Sequence, residues 1–465
     1  MATNKCSEVR LKPRRRVGLL GATSTIVGFV IGASIFILPG PVAGTVGPGL
    51  PIAYIFAVIP AAFTCLYLVQ LGSVLPVTGS NYVAATRFGS PIAGFSVVWM
   101  FIACAVFALP VMAIGFASYF QTLVPGVNVL LVAILIVVVL GVLNLFGIKA
   151  VTIAQTVMTG LFLVAVVLFV VGGLPNIDIQ NYSNPFPNGI NGLALGAITV
   201  YFSFTGFTVI AEIAGEVKNA RRNIPLALTI SILLILVVYV AVGAVVTGTL
   251  DWQEAGSSPA AVAESASLFY PDQVVALISI GALFASATTI NALFTSVSRD
   301  ILRLGEDQVF PRMFAKVSPR HRVPYPGVIL VTILVVLALL LNLDIEQYSM
   351  LTVFAFLLLQ CISAVAVFRI KKLNVDLWNA APIKYNKFWI ATTLIGLIVT
   401  SVMIFVFAAI SEPITMVVFI GVLIVGYLIW ALRSSIVKRR GVDLKAITTE
   451  MTFHITSELN DEQKP

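Results

Sequence analysis

GFVIGASIFILPG, residues 28–40, is the stretch on which the reading of the chain turns. It lies in an apolar segment, 17–39, long enough to cross a hydrocarbon core of roughly 30 Å. Yet Gly28, Gly32, Ala33 and Ser34 fall just past the midpoint, and Pro39 stands at the far end. A helix that only anchors has no use for small polar residues there. Glycine leaves helical dihedrals without steric penalty, so Gly32-Ala33-Ser34 is expected to unwind. Unwinding in lipid bares N–H and C=O groups, which is tolerated only against protein, solvent or a bound polar molecule. The competing use of such residues is close helix packing.

A second apolar segment, 189–214, repeats the theme with Ser203, Thr205 and Gly206 in YFSFTGFTV. Counted along the chain it is the sixth span and runs opposite to the first, so two interrupted helices would meet antiparallel at mid-membrane. That is the layout expected of two five-helix repeats of inverted topology, 17–173 and 189–369, sharing one site. The interrupted ends also indicate a ligand. Free N–H groups near Ser34, Ile35 and Phe36 suit a carboxylate, while free carbonyls near Val30, Ile31 and Phe202 to Phe204 suit an ammonium or a metal cation. Side by side, the two describe an α-amino acid.

Composition agrees with a membrane setting. Of 465 residues, 59% are hydrophobic and only 10% charged, against roughly 25% charged in soluble chains. Further apolar segments near 48–74, 91–124, 128–146, 150–173, 225–249, 272–302, 324–342, 346–369, 387–409 and 412–432 bring the expected count to twelve spans, the last two forming a unit at 387–432. With the N-terminus inside, all 28 Lys and Arg fall on the cytoplasmic side, and the opposite loops carry only acidic charges such as Asp178, Asp251, Glu264 and Glu346. This separation places a multi-pass protein in the cell membrane with both termini cytoplasmic. The basic segment 1–16 lacks a cleavage region and reads as a cytoplasmic leader to the first span; 433–465 reads as a polar cytoplasmic tail. The net charge of +8 is spread over short linkers, which excludes a nucleic-acid partner. No CxxC pair exists, and His321 and His454 lie far apart, so no cofactor or metal cluster is expected beyond a coupling ion.

At this point the segments resemble the amino acid–polyamine–organocation (APC) transporter superfamily, with the LeuT-type fold. GASIFILPG at 32–40 resembles its first-span signature, with Ser34 replacing a glycine. PVTGSNYVAATRFGSPIAGF at 76–95 resembles the loop into span 3. FSFTGFTVIAEIAGEVKNARRNIP at 202–225 resembles the span 6 signature, with Ala220 where proline is usual, and NALFTSVSRDILRLGEDQVFP at 291–311 resembles the end of span 8. The resemblance implies an all-α polytopic protein of twelve transmembrane helices, a 5+5 inverted repeat with discontinuous helices 1 and 6, and secondary active transport of amino acids by alternating access. It further implies that the backbone of Gly32, Ala33, Ser34 and Ile35 holds the substrate carboxylate, and that the carbonyls of Ile31, Phe202 and Ser203, with the Thr205 hydroxyl, hold the amine. Phe207 falls at an aromatic gate position or is a core residue, and Cys104 either lines the side-chain pocket or packs.

The coupling ion is left open. Proton-coupled relatives carry a span 5 lysine where motif matching places Phe162. Ala285, Thr288 and Thr289, with the carbonyls of Gly28 and Ile31, resemble a sodium site, and such oxygens suit a hard cation; threonine in helices also bonds its own preceding turn. Glu212, five to six residues past the second interruption, would carry a proton in a symporter or pair with Arg221 or Arg87. An exchanger needs neither ion. No acidic residue lies within a turn of either interruption, which favours neutral L-amino acids over cationic ones. Channels need a polar stripe or rings of like groups, and an enzyme needs a nucleophile, base and orienter together; neither pattern is present, so no enzyme is expected. A non-transporting sensor and the choice between monomer and homodimer stay open.

Overall fold

The computed structural model describes residues 17–77, 79–146, 148–321 and 323–439, with only the helix path over 148–157 and 438–439. The segment 1–16, Arg322, the Lys149 side chain and the tail beyond 439 lie outside the described residues. Among the described residues there is no strand, only an isolated bridge between Val17 and Val217.

The principal helices are α1 (Leu19–Ile31), α2 (Leu50–Val74), α3 (Pro91–Leu123), α4 (Val129–Leu145), α5 (Ile148–Gly173), α6 (Gly189–Tyr201), α7 (Ala220–Thr249), α8 (Asp272–Glu306), α9 (Tyr325–Leu339), α10 (Ile345–Leu373), α11 (Lys387–Ser411) and α12 (Pro413–Arg439). Among the described residues, ten helical segments, counting the continuations of α1 and α6, are long and apolar enough to cross a membrane. The protein is therefore a multi-pass membrane protein. The fourth and ninth expected spans are shorter: α4 has 17 residues and α9 has 15, about 25 and 22 Å at helical rise. Asn128 caps α4 by accepting the Leu131 N–H at 3.0 Å, and α9 ends just before Asn342, which sits at φ 50°. At the other end of the chain α12 runs on to Arg439, so the expected polar tail begins as helix. There Arg433 donates to the carbonyls of Gln308, Val309 and Phe310 at 3.0–3.2 Å.

Position in the bundle follows the outward faces. α3 and α10 are the most enclosed of these helices and α12 the least. Met403, Val406, Ile410 and Val417 of α11 and α12 point outward, an arrangement stable only against lipid.

The first span breaks where expected. α1 ends at Ile31, Gly32 takes φ 34° and ψ −140°, and helix resumes at Ser34–Ile37 and Pro39–Val46. Only glycine adopts that backbone cheaply. The sixth span is not unwound in the same way. Its centre, Phe202–Thr208, is a 3₁₀ helix, followed by Val209–Ile213 and Ala214–Glu216. The hydroxyls of Thr205 and Thr208 donate three residues back, to the carbonyls of Phe202 at 2.7 Å and Thr205 at 3.3 Å, which favours the tighter winding. The far ends of both spans are tied. The Val17 N–H donates to the Glu216 carbonyl at 3.1 Å, and the Lys218 N–H donates to the Val17 carbonyl at 2.7 Å. At the opposite end, the Thr45 hydroxyl donates to Glu346 of α10 at 2.5 Å.

Candidate functional site

The break after α1 and the 3₁₀ segment face one cavity of about 50 Å³. Gly32, Ala33 and Ser34 form one wall, Phe202, Ser203 and Thr205 another, and Cys104 from α3 and Thr289 from α8 also line it. Its volume holds a few water molecules at most, so a larger guest requires the walls to part. Every lining residue is uncharged.

Ile31, Ile35, Phe207, Gly28, Ala285 and Thr288 stand outside this wall. Phe207 does so for a geometric reason. In a 3₁₀ helix residues three apart eclipse, so Phe202, Thr205 and Thr208 present one face to the cavity while Phe204 and Phe207 share another. Those two rings stack with centroids 6.4 Å apart and are fully buried. The apolar wall was missed by sequence reasoning: Phe101, Ala108 and Met112 line the cavity with Cys104, spaced three or four residues apart along one helix face.

A further residue the sequence did not flag is Tyr239 of α7. Its hydroxyl donates to the Val30 carbonyl at 2.7 Å, lies 3.4 Å from the Ser203 carbonyl, and is met by the Ser34 hydroxyl at 2.9 Å. A phenol has a single proton; the short Val30 contact takes it, and Ser34 donates to the phenolic oxygen. One side chain thus bridges the interruptions of both spans. Stacking on Tyr54, with centroids 5.1 Å apart, and edge contact with Phe204 at 5.4 Å fix the ring. No motif surrounds Tyr239 in sequence, and only its being the one phenol in an aliphatic run could have drawn attention to it.

Of the carbonyls assigned to the amine, Phe202 accepts from the Thr205 hydroxyl, while Ile31 lies 3.3 Å from Ser34 Oγ, whose single proton goes to Tyr239. A carbonyl has two lone pairs, so Ile31 keeps the capacity to receive an ammonium. Nearby, the hydroxyls of Thr288 and Thr289 both donate to the Ala285 carbonyl at 2.9 Å, and the Gly28 carbonyl accepts the Gly32 N–H at 3.2 Å. The two elements touch here: a Cβ on Gly32 would lie 2.6 Å from Thr289 Oγ1. From α5 it is Thr159 that faces Gly28, while the backbone of Phe162 faces Gly281 of α8. Both α5 residues are uncharged; the two threonine hydroxyls occupy both lone pairs of the Ala285 carbonyl, while the oxygens of Thr288, Thr289, Gly28 and Ile31 keep lone pairs of the kind a hard cation takes.

Glu212 is placed away from the cavity. Its carboxylate meets Arg303 Nη1 of α8 at 3.7 Å, and the same guanidinium nitrogen lies 3.3 Å from Asp300. Arg221, one of the partners expected for Glu212, instead donates to the Ala380 carbonyl at 2.8 Å. Around the cluster the Tyr82 hydroxyl donates to Asp307, and the Ser80 hydroxyl donates to the Ala211 carbonyl at 3.2 Å. Gly79, at φ 66°, lets Arg303 cross its backbone: a Cβ there would sit 1.6 Å from Nη1. Desolvation pushes the Tyr82 phenol well above its usual range, and the neighbouring Asp307 adds to this, so it is a proton donor at any physiological pH.

Known proteins resemble the chain over about two thirds of its length. The chain is 28% identical to a methylthioribose transporter of Bacillus subtilis over 64% of its length and 69% of the relative's. It is 26% identical to a branched-chain amino acid permease of the same organism, over 67% of its length and 71% of the relative's. With cationic amino acid transporter 9 of Arabidopsis thaliana it shares 30% identity, over 66% of its length and 58% of the relative's. Residues 17–439 match the family model described as amino acid permease. From the broken first helix to the last apolar one, this chain belongs to the amino acid permease family.

Proposed function

We propose that the chain is a secondary transporter of neutral L-amino acids in the cell membrane, working by alternating access with both termini cytoplasmic. The observation that carries the reading is the cavity wall: broken backbone on one side, the 3₁₀ segment on another, apolar side chains on a third, and no charged residue. In this reading the N–H groups after Gly32 hold the carboxylate, and the carbonyls of Ile31, Phe202 and Ser203 hold the amine. Cys104, Phe101 and Met112 bound the side chain. A second positive charge on the substrate would be buried without a partner, at a cost of several kcal/mol. The named substrates of the relatives span a methylthio sugar, branched-chain and cationic amino acids, so the choice among them rests on the wall itself. Spans 1 to 5 and 6 to 10 act as inverted repeats, with α11 and α12 outside them.

Sodium is the proposed coupling ion, held by Thr288, Thr289 and the carbonyls of Ala285, Gly28 and Ile31. Its support is the contact of Gly32 with Thr289, which sets the oxygens of α8 against the break. Glu212, engaged with Arg303 away from the cavity, serves the closure of one end in this scheme rather than carrying a proton.

Competition between labelled alanine, serine, leucine and arginine for uptake into proteoliposomes tests the substrate class. Alanine, serine or leucine should win; arginine winning by more than about tenfold, ~1.4 kcal/mol, overturns the assignment.

A further inference from the structure

Three polar side chains from three helices meet in the apolar interior, outside the cavity wall. Thr64 of α2, Tyr201 at the end of α6 and Gln360 of α10 are all fully buried. The Thr64 hydroxyl donates to Gln360 Oε1, Gln360 Nε2 donates to the Tyr201 hydroxyl at 3.1 Å, and the Tyr201 hydroxyl lies 3.2 Å from Thr64 Oγ1. Each hydroxyl has one proton. If Thr64 spends its proton on Gln360, the Tyr201 proton is left for Thr64, and the three close into a ring in which every member donates once and accepts once. Phe356, one turn before Gln360, packs on the Tyr201 ring with centroids 6.2 Å apart.

Thr64 can fall back on the Pro60 carbonyl one turn before it, 3.0 Å away, but among the described residues Tyr201 and Gln360 have their hydrogen-bond partners within the ring, and losing them in an apolar interior is costly. Rotation of α6 about its axis would open the ring. Tyr201 is the last residue of α6, and the next two residues, Phe202 and Ser203, line the cavity. α2 and α10 also touch the 3₁₀ segment directly. We propose that Thr64, Tyr201 and Gln360 are positioning residues that fix the azimuth of the 3₁₀ segment and thereby the shape of the cavity wall. The inference rests on the reading of that cavity as the substrate site, but the arrangement itself can be measured without any substrate.

Cys104 is the built-in reporter, buried in the wall opposite the 3₁₀ segment. The full chain in proteoliposomes is treated with N-ethylmaleimide, and the rate at Cys104 is read by peptide mass spectrometry. Y201F, Q360L and T64V should each speed labelling about fivefold, equivalent to ~1 kcal/mol in favour of an opened wall. The Y201F/Q360L double variant should be no faster than the quicker single one, since the ring is already open. T64S keeps the hydroxyl and should label at the wild-type rate. Y348F removes a 2.6 Å hydrogen bond to the Ala338 carbonyl elsewhere on α10 and should also leave the rate unchanged. Rates within about twofold of wild type in Y201F and Q360L, ~0.4 kcal/mol, overturn the proposal, as does equal acceleration in Y348F, which would mark general loosening. Failure of the wild type to take up any amino acid bears on the proposed function alone and leaves these rates to decide the ring.

Discussion

The Tyr239 hydroxyl donates to the Val30 carbonyl at 2.7 Å and receives the Ser34 hydroxyl at 2.9 Å, so α7 grips the first span on both sides of its break. Residues 30 and 34 would be joined by one turn in a continuous helix. Here a third helix supplies the joint, and the same phenol lies 3.4 Å from the Ser203 carbonyl of the other interrupted span.

Tyr239→Phe keeps the stacking on Tyr54 and deletes only the oxygen. The Val30 carbonyl and Ser34 hydroxyl lose a partner, a cost of about 1–3 kcal/mol for buried groups. Uptake by Y239F should show an apparent KM raised about tenfold, the kinetic counterpart of ~1.4 kcal/mol, with protein yield close to wild type. An unchanged KM would mean that the phenol does not shape the site.

Gly32→Val should abolish uptake. The substitution places a β-branched residue at φ 34°, with its Cβ 2.6 Å from Thr289 Oγ1, and backbone strain alone adds about 1–3 kcal/mol. Monodispersity in detergent checks that the protein is folded; normal transport by G32V would place the substrate elsewhere.

Arg303→Ala leaves Glu212 and Asp300 facing each other without their shared cation. Removing one partner of an enclosed ion pair costs up to about 3–5 kcal/mol, less here because the side chains of Arg303 and Glu212 keep 25% and 20% exposure. R303A should melt lower than wild type, and R303A/E212Q should recover part of the loss. If R303A melts like wild type, the cluster contributes nothing to closure of that end.

Thr289→Ala removes one of the hydroxyls at the Ala285 carbonyl. Under sodium coupling, uptake should rise with an inward sodium gradient at fixed pH, T289A should need about tenfold more sodium (~1.4 kcal/mol), and E212Q should keep its sodium dependence. Accumulation that ignores sodium and collapses with a protonophore would transfer the coupling role to Glu212, and exchange indifferent to both gradients would make the protein an antiporter.

The helices were legible because burial in lipid demands long apolar runs, and the break at Gly32 was legible because small residues at mid-span have few other uses. The shape of the second interruption was not. Thr205 and Thr208 can serve an unwound segment or a tight one, and only their hydrogen bonds to Phe202 and Thr205 select the 3₁₀ form that turns Phe207 away from the cavity. Tyr239 and the Glu212–Arg303 pair escaped for a different reason. Each joins helices distant in sequence, and hydropathy reports which residues are buried without reporting which neighbours they meet. The shorter α4 and α9 mark the same boundary: composition announces a span, while caps and turns decide its length.

The paired backbone hydrogen bonds between Val17 and the residues 216 and 218 have one more consequence. The start of the first span and the end of the sixth are pinned together, so in the proposed scheme neither flap would swing without carrying the other. A barrier built from two independent flaps would pass through half-open arrangements in which small ions slip by. Under the alternating access proposed above, yoking them would remove those arrangements and leave this end of the protein with one motion, shut or open.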